Sequence, residues 1–218
     1  MKNLRFLLFF VLTPYIYASD CSRDGQRITS EGWSAAVRRV CLTDSIPQNV
    51  FASPDFHKDL VADEAGFSLM VDHKKVAWPE GKNFDSRGSE ISWSPTSTMF
   101  FINNGNGSGL DGWTIHVFYI IGSQVVDNQE INAEIVRLFR LQVKCFKDAV
   151  DPNVRGLGWS KDGALLFAFA QTTVSESCGT QGEFRGAAVT TTNGSVSRFY
   201  SESETRAHFH QILPYNMR

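Results

Sequence analysis

The chain has 218 residues, of which 42% are hydrophobic and 20% charged, and its formal net charge is −2. These values exclude a disordered, collagen-like or coiled-coil chain, and the absence of any basic run longer than a pair such as Arg38-Arg39 argues against nucleic-acid binding. The 17 Phe and 17 Gly residues, against 7 Pro, favour aromatic-rich strands joined by tight turns, and the length suits a single all-β domain.

The N-terminal segment has the layout of a secretory signal peptide. Lys2 and Arg5 precede a short apolar run at residues 6–12, and the small residues Ala18 and Ser19 follow. The run is shorter than the roughly 20 apolar residues that a transmembrane helix needs; the alternative is an uncleaved N-terminal anchor. We therefore expect residues 1–19 to be removed and the protein to be periplasmic or secreted, with no membrane span after cleavage.

The cysteine content agrees with export. An even number of cysteines in a secreted chain predicts disulfide bonds. The four cysteines that follow the signal segment are Cys21, Cys41, Cys145 and Cys178. Three pairings are possible, and proximity in sequence favours Cys21–Cys41 with Cys145–Cys178. No two cysteines have the CxxC spacing of a zinc site, so we expect neither a metal nor another cofactor.

Three segments of the chain look alike, since each has an apolar strand, a serine-centred turn and a second apolar strand. The turns are Ser53-Pro54-Asp55, Ser94-Pro95-Thr96 and Ser160-Lys161-Asp162-Gly163. Proline and Asp-Gly both favour tight turns. A second pair of apolar segments follows each turn, and the Asn193-Gly194 dipeptide gives the strongest of these later hairpin signals. Each unit therefore predicts four antiparallel strands.

The spacing of the repeats suggests blade-like sheets with one insertion. Pro54 and Pro95 are 41 residues apart, which fits the roughly 40–45 residues of a four-stranded propeller blade. The third turn comes later, and apolar residues at helical spacing fill the extra length. These are Ile131, Ile135, Leu138 and Phe139. They predict one amphipathic helix near 129–146. The alternative is a sandwich of unrelated hairpins.

The serine turns resemble the repeats of the TolB-like β-propeller family. Trp159-Ser160-Lys161-Asp162-Gly163, followed by the apolar residues 165–169, is the closest match. In the second copy Trp93 matches, whereas Thr96 and Ser97 replace the acidic residue and glycine, and in the first copy Ala52 stands in place of Trp. The resemblance implies an all-β fold of antiparallel four-stranded sheets in a small or incomplete β-propeller, and a bacterial envelope protein.

Complete propellers have at least four blades, and the sequence contains three such units. We therefore expect residues 20–218 to form a single propeller-like domain, with residues 20–48 as a partial closing blade. The family motif is structural, because its Trp packs between blades and its turn closes a hairpin. The resemblance therefore implies a fold and little chemistry.

No motif in the chain indicates catalysis. The nucleophile elbow G-x-S-x-G is missing, and His57, His73 and His116 are available for a triad although nothing selects one of them. His208 and His210 would share one face of a strand, as in the start of a metal site, but no acidic residue follows them. We therefore expect no catalytic and no metal-binding residues.

The Gly- and Asn-rich segment 103–113 is the predicted binding element. It is longer than the usual two to five residues of a hairpin connection, and long loops are commonly functional. Calcium binding is not expected, because Asp111 is its only acidic residue. The residues predicted to contact a partner are Asn104, Asn106, Ser108, Leu110, Asp111 and Trp113.

These features predict a non-catalytic, exported protein-binding module. Its most concrete form is an inhibitor or immunity-type protein acting on an envelope enzyme or toxin. The alternative is a secreted hydrolase with an unrecognised active site. We expect a protein partner and no nucleic-acid partner.

Overall fold

The computed structural model describes residues 27–28, 34–35, 37–82, 84–105, 112–143, 151–172 and 183–213, with side chains from residue 37 onward. The strands of this part of the chain form three sheets, and every paired strand is antiparallel to its neighbour. The predicted all-β class with antiparallel sheets is therefore confirmed. The described residues form no closed barrel or propeller.

Each sheet is built around four consecutive strands that match one predicted repeat. The first sheet contains β4 (Gln48–Ala52), β5 (Lys58–Asp63), β6 (Gly66–Val71) and β7 (Lys74–Lys75). The second sheet contains β8 (Glu90–Trp93), β9 (Met99–Asn104), β10 (Thr114–Ile121) and β11 (Gln124–Asp127). The third sheet contains β12 (Asn153–Trp159), β13 (Leu165–Gln171), β14 (Phe184–Thr190) and β15 (Val196–Tyr200).

Three two-residue strands from the start of the chain extend these sheets. Arg38–Arg39 (β3) pairs with β8 at the edge of the second sheet. Ser34–Ala35 (β2) pairs with β12 at the edge of the third sheet, and Arg27–Ile28 (β1) pairs with β2. The expectation that residues 20–48 form a partial closing blade is therefore wrong for the described strands. They are too short to make a sheet of their own, and they satisfy their backbone groups on existing edges instead.

The three serine turns share one hydrogen-bond pattern. In each turn the serine N–H donates to the backbone carbonyl of the residue five positions later, and that residue's N–H donates to the serine Oγ, at 2.8–3.1 Å. The third residue after each serine has a left-handed backbone, with φ of 60° at Phe56, 59° at Ser97 and 73° at Gly163. The sequence repeat is therefore also a repeat of backbone geometry.

The three sheets form a stack in which neighbouring sheets share a core. Phe51, Leu60 and Leu69 of the first sheet pack with Phe100 and Phe118 of the second. A further core joins the second and third sheets. It includes Phe101, Ile115, Val117, Trp159, Leu166 and Val189. Burial of this amount of aromatic and aliphatic surface is the main stabilising term of the stack.

Trp93 and Trp159 occupy equivalent positions in successive sheets. The Nε1 of Trp93 donates to the backbone oxygen of Phe51 at 2.9 Å, and the Nε1 of Trp159 donates to Oγ of Ser92 at 3.2 Å. Phe51 and Ser92 are themselves equivalent, because each lies two residues before its serine turn. Each indole therefore reaches back to the same position of the preceding sheet.

The predicted inserted helix is confirmed, although it ends earlier than expected. Helix α1 spans Gln129–Gln142, with the side chain of Asn128 capping its first turn and Val143 at its C-cap. Ile131, Ile135 and Phe139 are buried in the core that joins the second and third sheets. The apolar spacing therefore identified the correct face, and residues 144–146 lie outside the described residues.

A second helix was not predicted. Helix α2 spans Glu202–Phe209 and begins with a capping box formed by Ser201 and Glu204. It covers the outer face of the third sheet. His208 therefore lies within α2 and His210 is the C-cap residue of that helix, so the two are not neighbours on a strand. Residues two apart on a helix do not face the same side. The expectation that they share a strand face is wrong.

The predictions about export and disulfide bonds concern mostly residues that the structure does not describe. These are the signal segment 1–19 and Cys21, Cys145 and Cys178. Cys41 is disulfide-bonded, and its pairing stays a prediction. Neither of the two described helices is both long and apolar enough to cross a lipid bilayer.

Candidate partner-binding site

The predicted binding segment leaves the stack at the end opposite the serine turns. β9 begins next to a serine turn and ends at Asn104, whereas β12 begins at Asn153 and ends next to the third serine turn. The start of β8 at Glu90 lies at the same end, because Glu90 pairs with Asn103. We call this end, formed by Glu90, Asn103, Trp113 and Arg155, the loop-side rim.

A polar network joins the second and third sheets at the loop-side rim. The side chain of Asn103 accepts from the backbone N–H of Gly156 at 2.7 Å and donates to the carbonyl of Gly156 at 2.9 Å. Its Nδ2 also lies 3.1 Å from Oε2 of Glu90. Asn103 is fully buried, so these bonds replace the water that its amide loses and fix the two sheets relative to each other.

Glycine at position 156 makes room for this close contact. A Cβ atom there would lie 2.8 Å from Cδ1 of Ile115 and 2.9 Å from Cζ of Phe101. Both distances are shorter than side-chain carbons tolerate, so the missing side chain allows β12 to approach the second sheet closely.

Arg155 connects this network to Trp113. Its Nη2 lies 2.5 Å from Oε1 of Glu90, and its guanidinium carbon lies 4.3 Å from the centroid of the Trp113 ring. The backbone of Trp113 is also fixed, because its N–H donates to Oδ1 of Asn153 and its carbonyl accepts from Val154, both at 2.9 Å. The C-terminal end of the predicted loop is thus attached to the third sheet by side-chain and backbone contacts.

Two of the six predicted contact residues lie in the described part of the chain. Trp113 is half-buried in the rim. Asn104 ends β9, and its buried Oδ1 has no hydrogen-bond partner among the described residues, as is also true of Nε of Arg155. Asn106, Ser108, Leu110 and Asp111 lie outside the described residues, and the prediction for them stays open. The structure adds Glu90 and Arg155 to the site, with the buried Asn103 beneath them as a structural residue.

Sequence reasoning missed Glu90 and Arg155 because they are 65 residues apart and belong to no motif. Asn103 opened the Asn-rich segment, but its role differs from the expectation. It faces the core between sheets and makes structural bonds. The half-buried polar surface of the rim is therefore built by residues whose proximity only the strand pairing reveals.

A second charged cluster joins the second sheet to the segment between β7 and β8. Nζ of Lys82 is 2.7 Å from Oδ2 of Asp127, and Nδ1 of His116 is 3.9 Å from the same oxygen. The Asp127 side chain is only 4% exposed. Burial alone would raise the pKa of Asp127, but interactions with His116 and Lys82 outweigh it, so that this pKa lies below its ordinary value.

In a catalytic triad a carboxylate orients the histidine, whereas here the Asp127 carboxylate is paired with Lys82. The cluster therefore does not have the form of a catalytic triad. A second His–Asp pair, His57 and Asp72, is 3.2 Å apart on the surface, with both side chains more than two-thirds exposed. Among the residues with described side chains, no group of three or more His, Cys, Asp or Glu residues could hold a metal ion.

Comparison of the chain with protein-family models, with curated proteins and with solved structures finds no match in any of the three.

Proposed function

We propose that this protein is a non-catalytic, exported binding module that contacts a protein partner through the loop-side rim and segment 103–113. The observation that carries the proposal is the fixed pairing of Arg155 with Trp113 at the base of that segment. Arg and Trp are the residue types that most often dominate protein–protein binding energy. A half-buried pair that is already ordered loses little entropy when a partner binds.

The finer description of the fold belongs to the same proposal. We propose that the three sheets are blades of an incomplete β-propeller with TolB-like repeats. The shared serine-turn bonds and the backward-reaching indoles of Trp93 and Trp159 support it. A propeller rim presents loops on a rigid scaffold, which suits an inhibitor or immunity-type protein that blocks an envelope enzyme or toxin.

Site-specific cross-linking tests the binding role. A photoreactive residue placed at Leu110 should form a discrete adduct with one protein in an envelope extract, and the same residue at the exposed Leu141 of α1 should not. Replacing residues 104–109 by a two-residue turn should leave folding intact and abolish the adduct. An unchanged adduct in the shortened variant would place the binding surface elsewhere.

Export is tested separately. Mass spectrometry of the protein recovered from the periplasm or medium should show that residues 1–19 are missing and that all four cysteines are oxidised. An intact N-terminus with four free thiols would contradict this part of the proposal.

A further inference from the structure

The outer face of the first sheet lies where the stack would continue if another sheet preceded it. The serine turns align Asp59 with Phe100 and Leu166, because each lies six residues after its turn serine. In the same way Val61 aligns with Ile102 and Ala168. Those four apolar residues are fully buried against the preceding sheet. Asp59 and Val61 face the corresponding space, and no described element covers them.

This outer face is neither a hydrophobic core nor an ordinary polar surface. Val50 lies opposite Val61, and Asp59 lies opposite Met70. Val50 is 47% exposed, and Ile46, just before β4, is 46% exposed. Val50 and Val61 therefore form an apolar patch across β4 and β5, and Asp59 and Asp63 lie on either side of Val61 along β5. We call this surface, formed by Val50, Asp59, Val61, Asp63 and Met70, the acidic end face.

The charges of the acidic end face select its occupant. Among the described residues Asp59 has no ion-pair or hydrogen-bond partner, whereas Asp63 accepts a hydrogen bond from the backbone N–H of Ala65 at 2.8 Å. The cation on the same face, Lys75, lies opposite Met70 at the far edge. A second copy of the chain would bring two pairs of aspartates together, which is unfavourable. A hydrophobic sheet packed on this face is excluded because it would desolvate the Asp59 carboxylate without compensation.

We propose that the acidic end face binds an extended segment of a partner protein that carries two Lys or Arg residues on either side of an aliphatic residue. Asp59 and Asp63 are four residues apart on one strand, which corresponds to about 13 Å. An extended segment with the pattern cation-x-aliphatic-x-cation has the same spacing. Its aliphatic side chain packs on Val50 and Val61, and its cations pair with the two aspartates.

The size of the acidic end face sets the expected affinity for this partner segment. Four strands about 4.8 Å apart and about 18 Å long give an area of roughly 350 Å². This is far below the size of stable interfaces, so the contact belongs to the weak and transient class. The site is separate from the loop-side rim and does not depend on the function proposed for that rim.

The test uses the full mature chain, labelled with ¹⁵N, and a cyclic hairpin peptide with the sequence Lys-Thr-Val-Thr-Lys on one strand. We expect saturable chemical-shift changes confined to β4, β5 and β6, with Kd between about 10 µM and 1 mM. The variant D59N/D63N, which keeps the size of both side chains, should bind at least tenfold more weakly. Its thermal unfolding should match that of the parent.

Two further controls establish the charge requirement and the location of the contact. A peptide with Glu in place of both Lys should not bind, and the variant with residues 104–109 shortened should bind the Lys peptide as the parent does. Absence of saturable shifts, equal binding by D59N/D63N, or shifts at the loop-side rim would overturn the proposal. Sedimentation of the chain as a dimer that D59N/D63N abolishes would also overturn it, since the occupant would then be a second copy.

Discussion

The two ends of the stack are finished in opposite ways. At the far end, Phe167 and Phe169 of the third sheet point away from the second sheet, and helix α2 covers them with Phe209. At the near end, no described element covers Asp59 and Asp63 of the first sheet. Repeat proteins need end units whose outer faces differ from the internal ones. Here one end is closed by a helix and the other is made polar.

The same comparison explains an irregularity in the repeats. Trp93 and Trp159 each reach back to the preceding sheet, whereas the first sheet has Ala52 at this position. Among the described elements none packs on the outer face of the first sheet, so an indole at position 52 would contact none of them. The departure from the repeat pattern at Ala52 therefore coincides with the end of the described stack.

The largest expected effect comes from removing a tryptophan between sheets. Trp159→Ala should destabilise the protein by about 4–5 kcal/mol, because a fully buried indole and its bond to Ser92 are lost. Ala52→Trp should change stability by less than about 0.5 kcal/mol, as expected for an exposed site. Urea denaturation measures both. Equal losses in the two variants would show that position 52 is also packed against another sheet.

Removing the contact by which helix α2 covers the third sheet should destabilise the protein nearly as much. Phe209 stacks on Phe167 with ring centroids 3.4 Å apart, so Phe209→Ala should lower the free energy of unfolding by about 3–4 kcal/mol. Leu141→Ala on the exposed side of α1 is the matched control and should have little effect. If Phe209→Ala melts like the parent, α2 does not close the stack.

A smaller effect is expected at Gly186, where α2 packs closely against the third sheet. A Cβ at Gly186 would lie 2.7 Å from Oγ1 of Thr205 and 3.1 Å from Cζ of Phe167. Gly186→Ala should therefore cost about 1–3 kcal/mol through overpacking. In the double variant with Thr205→Ala the two effects should be less than additive, as measured by a double-mutant cycle. Full additivity would mean that these residues do not touch.

The smallest effect concerns the pH dependence of the helix cap. Hydrogen bonds from the Ser201 backbone N–H and hydroxyl lower the pKa of Glu204 below its ordinary value of 4.5. Its contribution to stability is therefore complete above pH 4.5 and is lost as the pH falls through the lowered pKa. Glu204→Gln should melt below the parent at pH 7, and the difference should shrink in acid. A difference independent of pH would contradict the capping role.

The strands of the three repeats could be predicted from sequence because their signals are local. Serine turns, alternating apolar residues and Asn193-Gly194 act over a few residues, and the structure confirms twelve strands in the expected order. Helix α1 was predictable for the same reason, since Ile131, Ile135 and Phe139 have helical spacing. Its end was missed because the apolar pattern continues past Gln142.

The remaining features depend on contacts between distant parts of the chain. Helix α2 buries only Thr205 and Phe209 along its length, so its amphipathic pattern is weak, and the spacing of His208 and His210 favoured a strand instead. The two-residue strands at the start of the chain exist only because β8 and β12 offer edges. In the candidate site, Trp113 was predictable from the loop, whereas the Glu90–Arg155 pair was not.

The pairing of β2 with β12 also bears on how the chain reaches its native state. Ser34 lies opposite Trp159, 125 residues later in the chain. Pairing strands so far apart in sequence costs the entropy of closing a long loop, whereas the first sheet forms from hairpins whose strands are neighbours in sequence. We therefore expect the start of the chain to attach to the third sheet late in folding, and amide-exchange protection at Ser34 would report that step.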